Sequence, residues 1–238
     1  MKSDLNQILW KWGAPAPHLS LARWSDVHGA LSWLFMHFTQ LPMAIRPDLL
    51  AGLRNQWESI AGAGISWSGV DRVAIAEAAR GLTTGLIPSA AASAARTIYA
   101  DITSTSEKWV NQLLEEGLTM PEFVEIVGVV SRLAAVDEFT WALGGTLEPL
   151  PDPVAGEPAR TEPPAARRGP AWVPMVGGAS ITQALSLVPT ESAAQEAFHG
   201  PLYMSYSEMA DYGFERELTR PQMELIAGRV SAINECFY

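Results

Sequence analysis

Apolar residues recur at helical spacing through most of the chain, and the strict alternation of a half-buried strand is scarce. "RWSDVHGALSWLFMHFTQ" (23–40) sets Val27, Ala30, Leu31, Leu34, Phe35 and Phe38 on one stripe, with Ser25 or Asp26 placed to cap it. "RPDLLAGLRNQWESIAGAG" (46–64) opens with Pro47, whose missing N–H has no intrahelical acceptor to lose at a helix start, and it runs into glycines that end it. "SGVDRVAIAEAARGL" (68–82) and the alanine-rich "SAAASAARTIYAD" (89–101) read as two more helices. "TSEKWVNQLLEEGL" (105–118) has Thr105 or Ser106 as cap and Gly117 as stop. "MPEFVEIVGVVSRLAAVDEFTWALGG" (120–145) is the longest, with Phe123, Ile126, Val127, Val130 and Leu133 along one face. The pattern predicts an all-α domain over residues 20–145, expected to fold without the rest.

The next stretch breaks the periodicity. Residues 146–178 hold eight of the 17 prolines, with Arg160, Arg167 and Arg168 among them, which predicts an extended linker rather than a core element. Helical character returns in "SITQALSLVPTESAAQEAF" (180–198), expected to break at Pro189. A loop around "HGPLYMSYSEMADYGF" follows, then a final helix from about Pro221. Residues 179–238 read as half a domain.

Composition narrows the class of protein. Hydrophobic residues make 48% of the chain and charged ones 18%, which places it with folded globular proteins. A formal net charge of −10 argues against nucleic acid as the main partner, since phosphate binding needs a basic surface. No apolar run reaches the roughly 18 residues of a membrane span; the richest, "IVGVVSRLAAV" (126–136), is interrupted by Arg132. The N-terminus lacks the pattern of a signal peptide, and one cysteine permits no internal disulfide, so a cytoplasmic location is expected. His18, His28, His37 and His199 show no ligand spacing, so no metal site is expected, and no glycine-rich phosphate loop or nucleophile elbow occurs.

The chain also echoes itself. "TMPEFVEIVGVVSRLAAVDE" (119–138) matches "TRPQMELIAGRVSAINECFY" (219–238) in Thr, Pro, Ile, Gly, Val and Ser at an offset of 219 − 119 = 100. "SGVDRVAIAEAARGLTTG" (68–85) matches residues 219–236 in its polar first turn and Ile-Ala centre. The second match is favoured, because each helix then follows an entry segment of similar length. Under either, the position of Cys236 is filled in the first copy by Val136 or Gly85, a two-copy chain with one thiol-less copy.

Cys236 is the sole cysteine, set in "INECFY" with Glu224 placed 236 − 224 = 12 residues before it. With Leu225, Ile226, Ser231, Asn234 and Tyr238 at matching places, "LTRPQMELIAGRVSAINECFY" resembles the active-site helix of the carboxymuconolactone decarboxylase-like superfamily, in its alkylhydroperoxidase-D-like redox branch. Residues 20–145 resemble the same family more loosely, through "VDRVAIAEAAR" and "LLEEGLTMPEFVEIVGVVSRLAAVDEFTWALG".

The resemblance implies a thiol- or selenol-dependent peroxidase with catalytic Cys236 and Glu224, no cofactor, a peroxide substrate, a thiol reductant and a homo-oligomeric state. In the family the redox pair is Cys-x-x-Cys, the second residue attacks peroxide, the first resolves the product, and a His on the next turn deprotonates the attacker. Glu224 would relay protons through water to that His. The second redox residue would follow Tyr238 directly, where this sequence stops; a selenocysteine UGA read as termination accounts for a stop there, and the chain as given is expected to be inactive. A three-residue step would put both groups on one helix face, close enough to bond. Two other readings stay open: a non-redox lyase of the same fold, and a helical interaction module with a packed, inert Cys236.

Overall fold

The computed structural model describes residues 38, 41–83, 85–161, 164–177 and 183–233. The expected 23–40 helix therefore lies outside the described residues apart from Phe38. The described chain is all-α: eight α-helices and no strand among these residues, with a single isolated bridge between Arg167 and Met175.

Local chemistry places the helices where the pattern predicts them. α1 spans Pro47–Ala61 with proline in its first turn, and Leu53, Gln56, Trp57 and Ile60 bury its inward stripe. α2 spans Gly69–Ala79 behind a capping box in which Ser68 accepts from Asp71 N and Asp71 accepts from Ser68 N. α3 spans Ser89–Ala100 and packs its small face (Ala90, Ala91, Ala94, Ala95) close against its neighbours. α4, Glu107–Glu115, is capped by Ser106, whose hydroxyl accepts from Trp109 N. Gly117 ends it at φ +107, a conformation costly for any residue with a Cβ. α5 spans Met120–Ala142 behind a second capping box, Thr119 with Glu122. Its Phe123, Ile126, Val129, Val130, Leu133 and Val136 are buried, making it the central helix of the core.

The proline-rich stretch is extended, as expected, but it is not free. Val154 N donates to Ala61 O, and Ala159 N and Arg160 N donate to Gly64 O and Ile65 O, each at 2.9 Å. Trp57 Nε1 donates to Pro149 O, Arg80 Nη1 to Glu148 O, and Pro151 is buried. The segment is a strap bonded along the α1–α2 connection. Prolines suit it because such a strap leaves many of its own N–H groups without a ladder partner.

Pro189 starts a helix instead of breaking one. Residues 183–188 are turns, and α6 runs Pro189–Leu202 with proline in its first turn, where no hydrogen bond is lost. Leu185, Leu187, Val188 and Phe198 join the same buried cluster as α1 to α5. The packing therefore does not close at residue 145. A short α7 (Tyr206–Ala210) behind the Ser205–Glu208 capping box leads to α8, Arg220–Ile233.

Candidate functional site

Cys236, Asn234 and Tyr238 lie outside the described residues. The helix that leads to them is described through Ile233, and it carries Glu224 just past its first turn. At the start of that helix the Thr219 N–H and hydroxyl both donate to Gln222 Oε1. Arg220 anchors it to the end of α7: Nη1 donates to Asp211 O at 3.0 Å and Nη2 to Met209 O at 3.1 Å. Arg220 Nε donates to Glu224 Oε1 at 2.6 Å. The Glu224 carboxylate is also the charged neighbour of Tyr203, and partial burial with that negative charge pushes the phenol above its ordinary range. Glu224 is thus held by Arg220 with about half its side chain in solvent.

His199 lies one step further along. Its ring sits edge-on to Tyr203 at 5.6 Å and tilted against Tyr206 at 5.9 Å. Its Nδ1 is 2.6 Å from Met204 O. A carbonyl only accepts, so Nδ1 carries a proton and donates to it. From Glu224 to Ile233 is nine residues, about 13 Å of helix at 1.5 Å per residue. A carboxylate at that distance reaches the far end of the helix only through intervening groups or several waters.

The outward face of α8 is apolar. Leu225, Ile226, Val230 and Ile233 are 74%, 54%, 50% and 49% exposed, and Met223 is the only buried residue on the helix.

A second constellation was not singled out from the sequence. Arg72 on α2, Glu125 and Arg132 on α5, and Glu191 on α6 form a buried quartet. Arg72 Nη1 donates to Glu125 Oε1 at 2.6 Å and to Glu191 Oε1 at 2.8 Å. Glu125 Oε2 accepts from Ser66 N at 2.8 Å. Arg132 Nη1 lies 2.6 Å from Glu191 Oε2, yet the angles make no hydrogen bond there, and its three nitrogens are buried without one. Burial alone would raise the Glu191 carboxyl, but the two guanidinium charges outweigh it and hold it below its ordinary value. Burial lowers Arg132. Two glycines make room: a Cβ on Gly64 would overlap the Glu125 carboxylate, and one on Gly128 the Glu191 carboxylate. Sequence carried one signal of this, Arg132 inside the apolar run 126–136 of α5. The partners on α2 and α6 carried none.

A further ionic group lies near the end of α5. Arg80 holds both oxygens of Asp137, which also accepts from the Tyr99 hydroxyl at 2.7 Å. Every contact there is well directed, and the Arg80 guanidinium stacks 5.3 Å over Trp57. Burial and the Asp137 charge push the Tyr99 phenol well above its usual range. This group joins α2, α3 and α5 and reaches the strap.

Among the described residues no three His, Cys, Asp or Glu side chains gather as a metal would need, and no helix is long and apolar enough to cross a membrane. No family model, no curated protein and no solved structure matches this chain.

Proposed function

We propose that the chain belongs to a thiol- or selenol-dependent peroxidase of the alkylhydroperoxidase-D-like kind, with Cys236 as the resolving thiol. The observation that carries this reading is the sequence pattern of the last helix: Glu224, Leu225, Ile226, Ser231, Asn234, Cys236 and Tyr238 at the family's spacing. It is supported by the placement of Glu224 near the anchored start of that helix, held by Arg220 and open to solvent. The tandem organisation is part of the same proposal: a thiol-less copy in 20–145, a strap, and a second copy from 179. It is supported by like entry turns, since Thr119 with Glu122 and Thr219 with Gln222 make the same pair of bonds. Ser68 with Asp71 makes them too, so caps do not choose between the two alignments.

The chemistry is a two-thiol cycle. The attacking thiolate or selenolate takes the outer oxygen of a peroxide; the O–O bond breaks and the alcohol leaves with a proton. The Cys236 thiol then attacks the sulfenic or selenenic acid, an S–S or S–Se bond forms, and water leaves. A cytoplasmic thiol reductant returns two electrons and reopens the bond. Glu224, with Tyr203 beside it, serves as a proton relay rather than a nucleophile.

The test extends the chain past Tyr238 with cysteine as the next residue, followed by a short helical extension. Peroxide is expected to convert both thiols to a disulfide, read as loss of labelling and of about two mass units, reversed by dithiothreitol. Cys236→Ser should leave the attacking residue trapped as an acid or mixed adduct. Two thiols that stay fully labelled after peroxide would end the redox reading. A second reading, a helical interaction module, is favoured by the bare apolar face of α8.

A further inference from the structure

The buried quartet holds more hydrogen-bond donors than its own carboxylates satisfy. Arg72 Nε and all three nitrogens of Arg132 are buried without a hydrogen bond, whereas among the quartet's acceptors only Glu191 Oε2 is in that position. Arg132 is the extreme case, with none of its side chain in water. A guanidinium presents its N–H groups in one plane, and a carboxylate lying in that plane takes two of them at once. Glu191 Oε2 comes within 2.6 Å of Arg132 Nη1 without the angles of such a bond. The backbone of α6 limits where that carboxylate can turn, since Val188 and Phe198 are fixed in the core on either side of it.

Charge and shape separate Glu191 from the other three. Arg72 is matched by Glu125 at 2.6 Å, and the second oxygen of Glu125 takes the Ser66 N–H. Arg132 is then the cation whose anion comes from elsewhere. Ser66, Arg72, Glu125 and Arg132 all belong to the α2–α5 body, while Glu191 is brought to them by α6, 191 − 132 = 59 residues further on. Gly128 clears α5 where that carboxylate rests, because a Cβ there would overlap it.

We infer that Arg132, with Arg72 behind it, is a binding site for a small carboxylate, and that Glu191 occupies it in cis as a replaceable stand-in. A free carboxylate is not tied to α6, so it can turn until both oxygens face the Arg132 guanidinium and leave fewer donors unpaired. The ligand class follows from what Glu191 supplies. It is a monoanion, because Arg72, Glu125 and Arg132 together carry one net positive charge. It is about the size of acetate, the CH2–COO portion of the Glu191 side chain, and it enters as the first turn of α6 lifts. The site uses no thiol, so it stands or falls apart from the peroxidase reading.

Glu191→Ala leaves the space of that group, and the probe is sodium acetate, compared with sodium chloride at equal ionic strength. Acetate should raise the melting temperature of this variant saturably, by about 3–6 °C at about ten times its half-saturating concentration. The gain over chloride should vanish when Arg132→Met is added. The unsubstituted chain tests the exchange itself. There acetate should quicken hydrogen exchange of α6 amides such as Phe198 about tenfold at that same concentration, relative to chloride, while Val130 in α5 stays unchanged. A Glu191→Ala melt that acetate moves no more than chloride would overturn the proposal, as would an equal shift in the double variant. Unchanged α6 exchange in the unsubstituted chain would overturn it too, by making Glu191 a permanent partner. That last measurement decides the matter alone if Glu191→Ala fails to fold.

Discussion

Glu191→Gln tests the buried quartet, and its effect can be worked from the contacts. Wild type sets two cations, Arg72 and Arg132, against two anions, Glu125 and Glu191, with all four side chains almost wholly out of water. Neutralising Glu191 leaves Arg72 its bond to Glu125, but Arg132 loses its ion pair, has no hydrogen bond, and keeps only the more distant charge of Glu125. Breaking one partner of a buried pair costs about 3–5 kcal/mol. At about 2–4 °C per kcal/mol for a chain of this size, the melting temperature should fall by roughly 6–20 °C. The double replacement Glu191→Leu with Arg132→Met removes both charges and should recover most of the loss, because well-packed apolar groups substitute for a buried pair at little net cost. pH supplies a second axis. The folded Glu191 carboxyl lies below its unfolded value, so its contribution is present above that unfolded value and is lost as pH falls through the folded one. The gap between wild type and Glu191→Gln in urea melts should therefore be full at neutral pH and narrow in acid. A Glu191→Gln loss under about 1 kcal/mol, or a double variant no better than Glu191→Gln, would refute the reasoning.

Gly128→Ala should also destabilise, by about 1–3 kcal/mol on thermal melting, because the new methyl overlaps the Glu191 carboxylate. Tyr99→Phe should cost about 1–2 kcal/mol, since it removes one directed bond to a charged Asp137 that keeps Arg80; Asp137→Ala should cost more, by leaving Arg80 without its carboxylate. A chain ended at Gly145 loses Glu191, Phe198 and the strap together, so a lower and broader circular-dichroism transition than that of the full chain is expected. In the extended two-thiol protein, Glu224→Gln should slow the first oxidation in stopped-flow while yielding the same disulfide, as a relay would.

Every helix from α1 to α5 could be read from the sequence, because caps and stripes are local. Ser68, Ser106 and Thr119 act on N–H groups three residues away, and a helix needs only its own spacing to show which side is apolar. Local pattern also exposed one oddity of α5, Arg132 inside the apolar run 126–136, while Glu125 just before it drew no notice. The buried quartet that Arg132 belongs to was decided by tertiary structure. Arg72 and Glu191 stand 191 − 72 = 119 residues apart, and each looks like an ordinary surface charge on its own helix. Pro189 shows the same limit, since proline both breaks a helix interior and opens a first turn, and only the placement of residues 183–188 settled which. Proline density marked the strap as extended, yet its backbone bonds to Ala61, Gly64 and Ile65 follow from no periodicity. For α8 the sequence shows an amphipathic helix bearing Glu224 and leading to Cys236, whereas the bareness of its apolar face is a property of what packs nearby. Periodicity reports which side of an element avoids water; the groups that meet that side are set by long-range packing, which no local spacing encodes.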